Sequence, residues 1–261
     1  MLKKLVQRDR DRVLSYLEKN FCDCIYLCID LEKYGVGHPE VGFWYSERKG
    51  EPYLVFMKYY DSIQVFCADD NWKAEEYAEW MNQFSVTMIR GNARAIQKLE
   101  GYLEGYHTAY GITVHETEYR EFPQFSMVER AGVEDAMEIA RLMCADREFG
   151  ENYTAENLAV QIRDRMIENV GRNFIIRENG KIAAHVGTFI ENAKAAVESG
   201  LIVDEKYKNK FYGLIVHEYL KKITMQEGKL LYAFRINDAM QRYTRAANES
   251  ICGYYGKMTR G

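Results

Sequence analysis

The segment from Leu201 to Ile223 constrains the fold more than any other. An apolar run, LIV, gives way to a lysine-rich turn and then to an amphipathic helix. Val203 ends the run, Lys206, Lys208 and Lys210 crowd the turn, and Gly213 opens the helix. Val216, Tyr219, Leu220 and Ile223 then recur at helical spacing. A strand feeding a helix through such a loop aims several backbone N–H groups at one point, with positive charge around it. That is an arrangement for holding a phosphate or pyrophosphate. The same residues also spell an ordinary strand-to-helix turn with solvated lysines.

The elements around the loop supply a context. From about Gln124 the pattern predicts a short strand at 125–128, then a helix through Ala136, Ile139, Ala140 and Met143. A second helix starts at Thr154, whose hydroxyl suits an N-terminal cap, and passes through Leu158, Ile162 and Met166. Strands follow at Asn173–Arg177, Lys181–Ile190 and Ala195–Val203, the first two joined by the turn Glu178-Asn179-Gly180. After the loop and its helix come a strand at Leu230–Ile236, a helix at Asp238–Ala247 and a strand at Glu249–Met258. The first half repeats parts of this scheme. Arg48-Lys49-Gly50-Glu51, the strand Tyr53–Tyr59, a turn at 60–62 and the strand Ile63–Ala68 mirror Glu178–Glu198. Arg90–Ala95 before a helix parallels Arg235–Ala239. Between those echoes Asp69–Phe84 reads as an acidic helix where the second half has its lysines.

This order, β-α-α-β-β-β-α-β-α-β, and the loop string Val203-Asp204-Glu205-Lys206-Tyr207-Lys208-Asn209-Lys210-Phe211-Tyr212-Gly213 resemble the GNAT superfamily of acyl-CoA-dependent N-acetyltransferases. Its members carry V-x-P-x-Y-R-G-x-G-x-G/A at this place. Val203, Tyr207 and Gly213 match, and Lys208 replaces the arginine with charge kept. Glu205 replaces the proline, and Phe211 replaces the first glycine of the final pair. At that position any positive φ would cost a side chain roughly 1–2 kcal/mol.

The resemblance implies an α/β (α+β) architecture of two tandem GNAT-like domains, each a mixed, mainly antiparallel sheet flanked by helices. Residues 1–122 would form a degenerate domain and residues 123–261 the acetyltransferase. It implies acetyl-CoA as cosubstrate and no metal. The pantetheine would pair with the backbone of Leu201, Ile202 and Val203, and the pyrophosphate would lie over Lys208, Asn209, Lys210, Phe211, Tyr212, Gly213 and Leu214. Asn237 would bind pantetheine or fix the turn before the last helix. Ser199-Gly200 corresponds to the family's pairing slip, and glycine suits a bulge that splays two strands. Glu198, beside that splay, is the candidate general base. Tyr243, on the last helix, is the candidate acid that protonates the thiolate, with Tyr254 and Tyr255 as alternatives. The acceptor would be a small-molecule or peptide amine. A GNAT-fold CoA-binding or regulatory protein without catalysis is the other expectation.

Composition limits the alternatives. A net charge of −4 gives no reason for nucleic-acid affinity, and no apolar run approaches a membrane span, so a cytoplasmic protein without nucleic-acid or membrane partners is expected. Cys22, Cys24 and Cys28 form C-x-C-x-x-x-C in an apolar run with no partner pair, which reads as buried free thiols. His38, His107, His115, His185 and His217 show no ligand spacing and read as surface or satisfied core positions.

Overall fold

The computed structural model of the chain describes residues 2–236 and 249–260. Contacts divide it into two compact units, and not at the boundary expected near residue 122. One unit holds the residues up to Val114 together with the C-terminal strand from Ile251. The other runs from His115 to Ala233 and takes in residues 249–250.

In the first unit β1 (Lys3–Lys4) leads to helices α1 (Gln7–Glu18) and α2 (Ile25–Tyr34). The strands β2 (Val41–Arg48), β3 (Glu51–Tyr59) and β4 (Ser62–Cys67) form an antiparallel meander. The β2–β3 turn takes Lys49 and Gly50 to φ 52° and 84°, a pair of left-handed residues that matches the twist of the strands it joins. Helix α3 (Ala74–Met81) is followed by β5 (Met88–Asn92), helix α4 (Ala93–Leu99) and β6 (Tyr106–Glu116). Strands β4 and β5 are parallel. Leu54, Phe56, Ile63, Val65, Ile89 and Ile96 pack with α3 into one core.

The second unit begins with a 3-10 turn at Pro123–Met127, where a strand was expected, and the strand β7 is only Glu129–Arg130. Pro123 at the first position of the turn fixes the helical φ and supplies no N–H for a ladder. Helices α5 (Ala136–Cys144), α6 (Arg147–Gly150) and α7 (Ala155–Ile167) follow, and Thr154 Oγ1 caps α7 by accepting from Asn157 N at 3.2 Å. Then come β8 (Asn173–Glu178), β9 (Lys181–Glu191), β10 (Ala195–Val203), α8 (Tyr212–Gln226) and β11 (Leu230–Arg235). Asn179 and Gly180, at φ 51° and 77°, repeat the left-handed pair of the first unit's hairpin. Strands β8, β9 and β10 are antiparallel neighbours, and β11 runs parallel to β10. Helix α8 covers one face through Ile215, Val216 and Leu220, while α5 and α7 cover the other through Ile139, Met143, Leu158 and Ile162.

The final strand β12 (Ser250–Arg260) explains the shifted boundary. From Tyr255 to Thr259 it pairs antiparallel with β5 over Asn92 to Met88, so its ladder completes the first unit's sheet. Proximity in sequence had assigned it to the second half. Among the described residues no helix is long and apolar enough to cross a membrane.

Candidate active site

Strand β10 is buried up to Gly200 except at the half-buried Ser199, and reaches solvent from Leu201 onward. Its parallel register with β11 spans Ala195–Val197 against Leu230–Tyr232. Two irregularities against β9 follow. Val197 faces Ile190 while Glu198 faces Thr188, so Phe189 is the extra residue; then Ser199 faces Gly187 and Ile202 faces His185, leaving Gly200 and Leu201 opposite Val186 alone. Gly200 sits at φ 66°. A β-carbon there would lie 2.9 Å from both His185 Cε1 and Met143 Cε, so backbone conformation and space both require glycine. The expected slip at Ser199-Gly200 is therefore present; beyond it Leu201 is exposed, and Ile202 and Val203 pair with His185 and Ala184 again.

The lysine-rich loop forms a 3-10 turn over Glu205–Lys210 with Asp204 Oδ1 accepting from Lys206 N at 2.9 Å. Phe211 links it to α8 at φ 58° and ψ 16°, the left-handed conformation that glycine adopts freely. Its ring is 73% exposed and turned away from the core. Tyr212, Gly213 and Leu214 occupy the first turn of α8, where backbone N–H groups have no intrahelical acceptor. A β-carbon on Gly213 would meet Val203 Cγ2 at 2.9 Å, so this glycine lets the helix start against the strand end. The lysine charge is partly committed elsewhere. Lys208 pairs with Glu205, while Lys210 pairs with Glu178 at 2.9 Å and lies over the rings of Tyr207 and Tyr212. Tyr212 also donates to Glu178, and these partners hold Glu178 below the usual carboxylate range.

Glu198 lies beneath the splay in a buried ionic cluster. His217 Nε2 on α8 is 2.9 Å from Glu198 Oε2 and 3.4 Å from Glu116 Oε1 at the end of β6. Lys221, one turn further along α8, reaches Glu116 Oε2 at 3.0 Å and Glu218 Oε1 at 3.3 Å. The other oxygen of Glu218 accepts from Arg120 N at 2.6 Å. His217 and Glu116 are each 1% exposed. Burial opposes the imidazolium, but the charges and hydrogen bonds of Glu198 and Glu116 prevail and raise His217 to about 9. Burial likewise opposes the Glu116 carboxylate. Hydrogen bonds from His217 and Glu249, with the charges of His217 and Lys221, nevertheless bring it down to about 2. Glu116, Glu198 and His217 place ligand atoms within 4.8 Å of one another, a set able to hold a divalent cation. The His217 imidazolium lies between the two carboxylates and offsets part of their charge.

His217, Glu116 and Lys221 were not singled out by sequence. Their signal was a histidine, a glutamate and a lysine at 217, 218 and 221, which share one side of an amphipathic helix. Glu116 comes from a distant strand and carried no local mark. Asn237 and Tyr243 lie outside the described residues. Of the alternative acids on β12, Tyr254 is 63% exposed and Tyr255 is buried.

The first unit contains the corresponding parallel pair, and its own side chains close it. Strands β4 and β5 pair from Ser62–Met88 to Val65–Gly91. Beyond that point Asn92 Oδ1 accepts from Cys67 N at 3.3 Å and Asn92 Nδ2 donates to Cys67 O at 2.8 Å. Tyr16 Oη then accepts from Ala68 N at 3.2 Å, and Arg94 donates to Ala68 O at 2.9 Å. The strand end that an extended ligand would pair with is already satisfied. Acidic repulsion is the lesser effect, because Asp69, Asp70 and Glu76 have Arg48, Arg94 and Lys73 within 4 Å.

Comparison with known proteins gives the same fold. Residues 137–254 match the model of the Acetyltransferase (GNAT) family. No curated protein matches the sequence. Among solved structures, a Drosophila protein superposes with a TM-score of 0.67 at 12% identity, covering 100% of this chain and 98% of its own. A GCN5-related N-acetyltransferase-like protein from Streptococcus suis gives 0.62 at 11% identity, covering 97% and 99%. A tandem GNAT protein from the clavulanic acid biosynthesis pathway gives 0.57 at 11% identity, covering 100% and 98%.

Proposed function

Because the second half of this chain, over residues 137–254, belongs to the GNAT acetyltransferase family, we propose that the protein moves an acetyl group from acetyl-CoA to an amine by direct attack. The observation that carries the reading is the short β10–β11 register, followed at once by bulges on either side of Glu198. It leaves the backbone of Leu201–Val203 available to an extended pantetheine, as a strand is added to a sheet edge. The pyrophosphate would then meet the first-turn N–H groups of α8, with Lys208 and Lys210 exchanging their carboxylate partners for it.

In the transfer the amine nitrogen bonds to the thioester carbon, the carbon–sulfur bond breaks, the amine loses a proton and the thiolate gains one. Glu198 is the group to take the amine proton, directly or through water. The cluster around it favours a cationic acceptor. Four carboxyl groups, those of Glu116, Glu198, Glu218 and Glu249, stand with the two cations His217 and Lys221, which leaves the cluster acidic beside the splay. Tyr243 remains the proposed proton donor to the thiolate.

Calorimetry with acetyl-CoA, combined with thiol release in the presence of primary amines, tests this reading. Binding with turnover supports it. Binding without turnover for any amine favours a CoA-binding or regulatory protein, a reading to which Phe211 and the engaged Glu198 lend weight. Absence of binding refutes both.

A further inference from the structure

Resting on that reading, we propose that His185 is a positioning residue for the acyl-donor site: its imidazole N–H holds the Gly200 carbonyl and thereby fixes the bulge that leads into Leu201–Val203. Gly200 and Leu201 face Val186 alone across the β9–β10 ladder. An extra residue in a bulge leaves ladder groups without their regular partners, and a buried carbonyl in that position needs another donor. Gly200 is buried, and His185 Nδ1 lies 2.7 Å from its oxygen.

The ring itself is held from the other side. His185 Nε2 is 2.9 Å from the Asn173 amide on β8. Burial, partly offset by the Gly200 carbonyl, lowers the imidazole to about 4, so it is neutral at physiological pH and has one N–H. A carbonyl can only accept, which puts that hydrogen on Nδ1 and leaves Nε2 as an acceptor. With Nε2 as the acceptor, the Asn173 amide satisfies it by presenting its NH2 group. Gly187 makes room for this contact, since a β-carbon there would lie 2.6 Å from the amide oxygen position. The result is a line of hydrogen bonds from Asn173 through His185 to Gly200, crossing three strands and ending at the residue where β10 changes course. His185 touches neither the thioester nor the amine in this arrangement; it acts through the backbone.

The test compares acetyl-CoA affinity by calorimetry in wild type, His185→Leu and His185→Asn. The asparagine amide nitrogen occupies nearly the position of Nδ1, so His185→Asn restores the donor without the ring. The leucine variant should bind about ten-fold more weakly or worse, the scale of one lost buried hydrogen bond. The asparagine variant should stay within about three-fold of wild type, with similar melting temperatures for the two. If His185→Leu does not fold, His185→Phe keeps a ring without a donor and takes its place. Equal weakening in both variants would mean that ring packing alone matters, and unchanged affinity in the leucine variant would mean that the bond is irrelevant; either result overturns the proposal while the functional reading stands. A wild-type protein that binds no acetyl-CoA would instead remove the functional reading and this inference with it.

Discussion

Replacing His217 by glutamine would keep a donor between Glu116 and Glu198 while removing the charge they share. The consequence can be worked from the cluster. His217 holds its proton to about pH 9 in the folded chain, against an ordinary value of 6.5. Its stabilising contribution is therefore complete below pH 6.5 and is lost as pH rises through 9. At about 1.4 kcal/mol per pH unit, the wild type loses about 2 kcal/mol from this group between about pH 5.5 and about pH 8. In His217→Gln, Lys221 offsets only part of the remaining negative charge. The folded variant must then tolerate a bare buried carboxylate or keep one carboxyl protonated. Starting from an ordinary carboxyl near 4.3, keeping that proton costs about 5 kcal/mol at pH 8 and less than about 2 at pH 5.5, which caps the penalty. We expect His217→Gln to lose about 3 kcal/mol at pH 8, in the range for breaking a buried pair, and about 1 kcal/mol less at pH 5.5. Urea unfolding at the two pH values, followed by circular dichroism, measures both. A loss under about 1 kcal/mol at pH 8 would show that Glu198 and Glu116 do not depend on the His217 charge.

Glu198→Gln should lower kcat for acetyl transfer by roughly 10²–10⁴-fold and leave acetyl-CoA affinity within about two-fold, since only the proton acceptor is lost; steady-state rates with calorimetry check it, and near-wild-type turnover would remove Glu198 as base. Phe211→Gly should raise stability by about 0.5–1 kcal/mol, because relief of about 1–2 kcal/mol of left-handed strain exceeds glycine's entropic cost. That corresponds to a melting temperature higher by about 1–4 °C, and a fall would contradict the strain argument. Acetyl-CoA should bind with one molecule per chain, because Asn92, Tyr16 and Arg94 close the first unit's strand end; a second molecule in the calorimetric stoichiometry would refute that closure.

Much of the scaffold was legible because it is written in local chemistry. Thr154 announced its cap, Asn179-Gly180 its turn and the alternating runs their strands, each through interactions within a few residues. The strand β10, the bulge at Gly200 and the helix opened by Gly213 followed from the same kind of signal, and so did Glu198 as a candidate. The segment at 125–128 was misread because its apolar residues suit a strand, while Pro123 favours the turn that forms.

What depends on distant residues was decided by tertiary structure alone. Only the folded chain brings Glu116 from β6 to His217 and so converts an apparently ordinary helix histidine into a buried cation. Only the β5–β12 ladder assigns the last strand to the first unit. In sequence the first half differs by acidic residues where the second half has its lysines. In the structure those acids are mostly paired, and it is Asn92 reaching across to Cys67 that occupies the backbone. Hydrogen-bond and charge partners far apart in the chain leave no spacing to read, because their energies depend on distance and burial that exist only after folding.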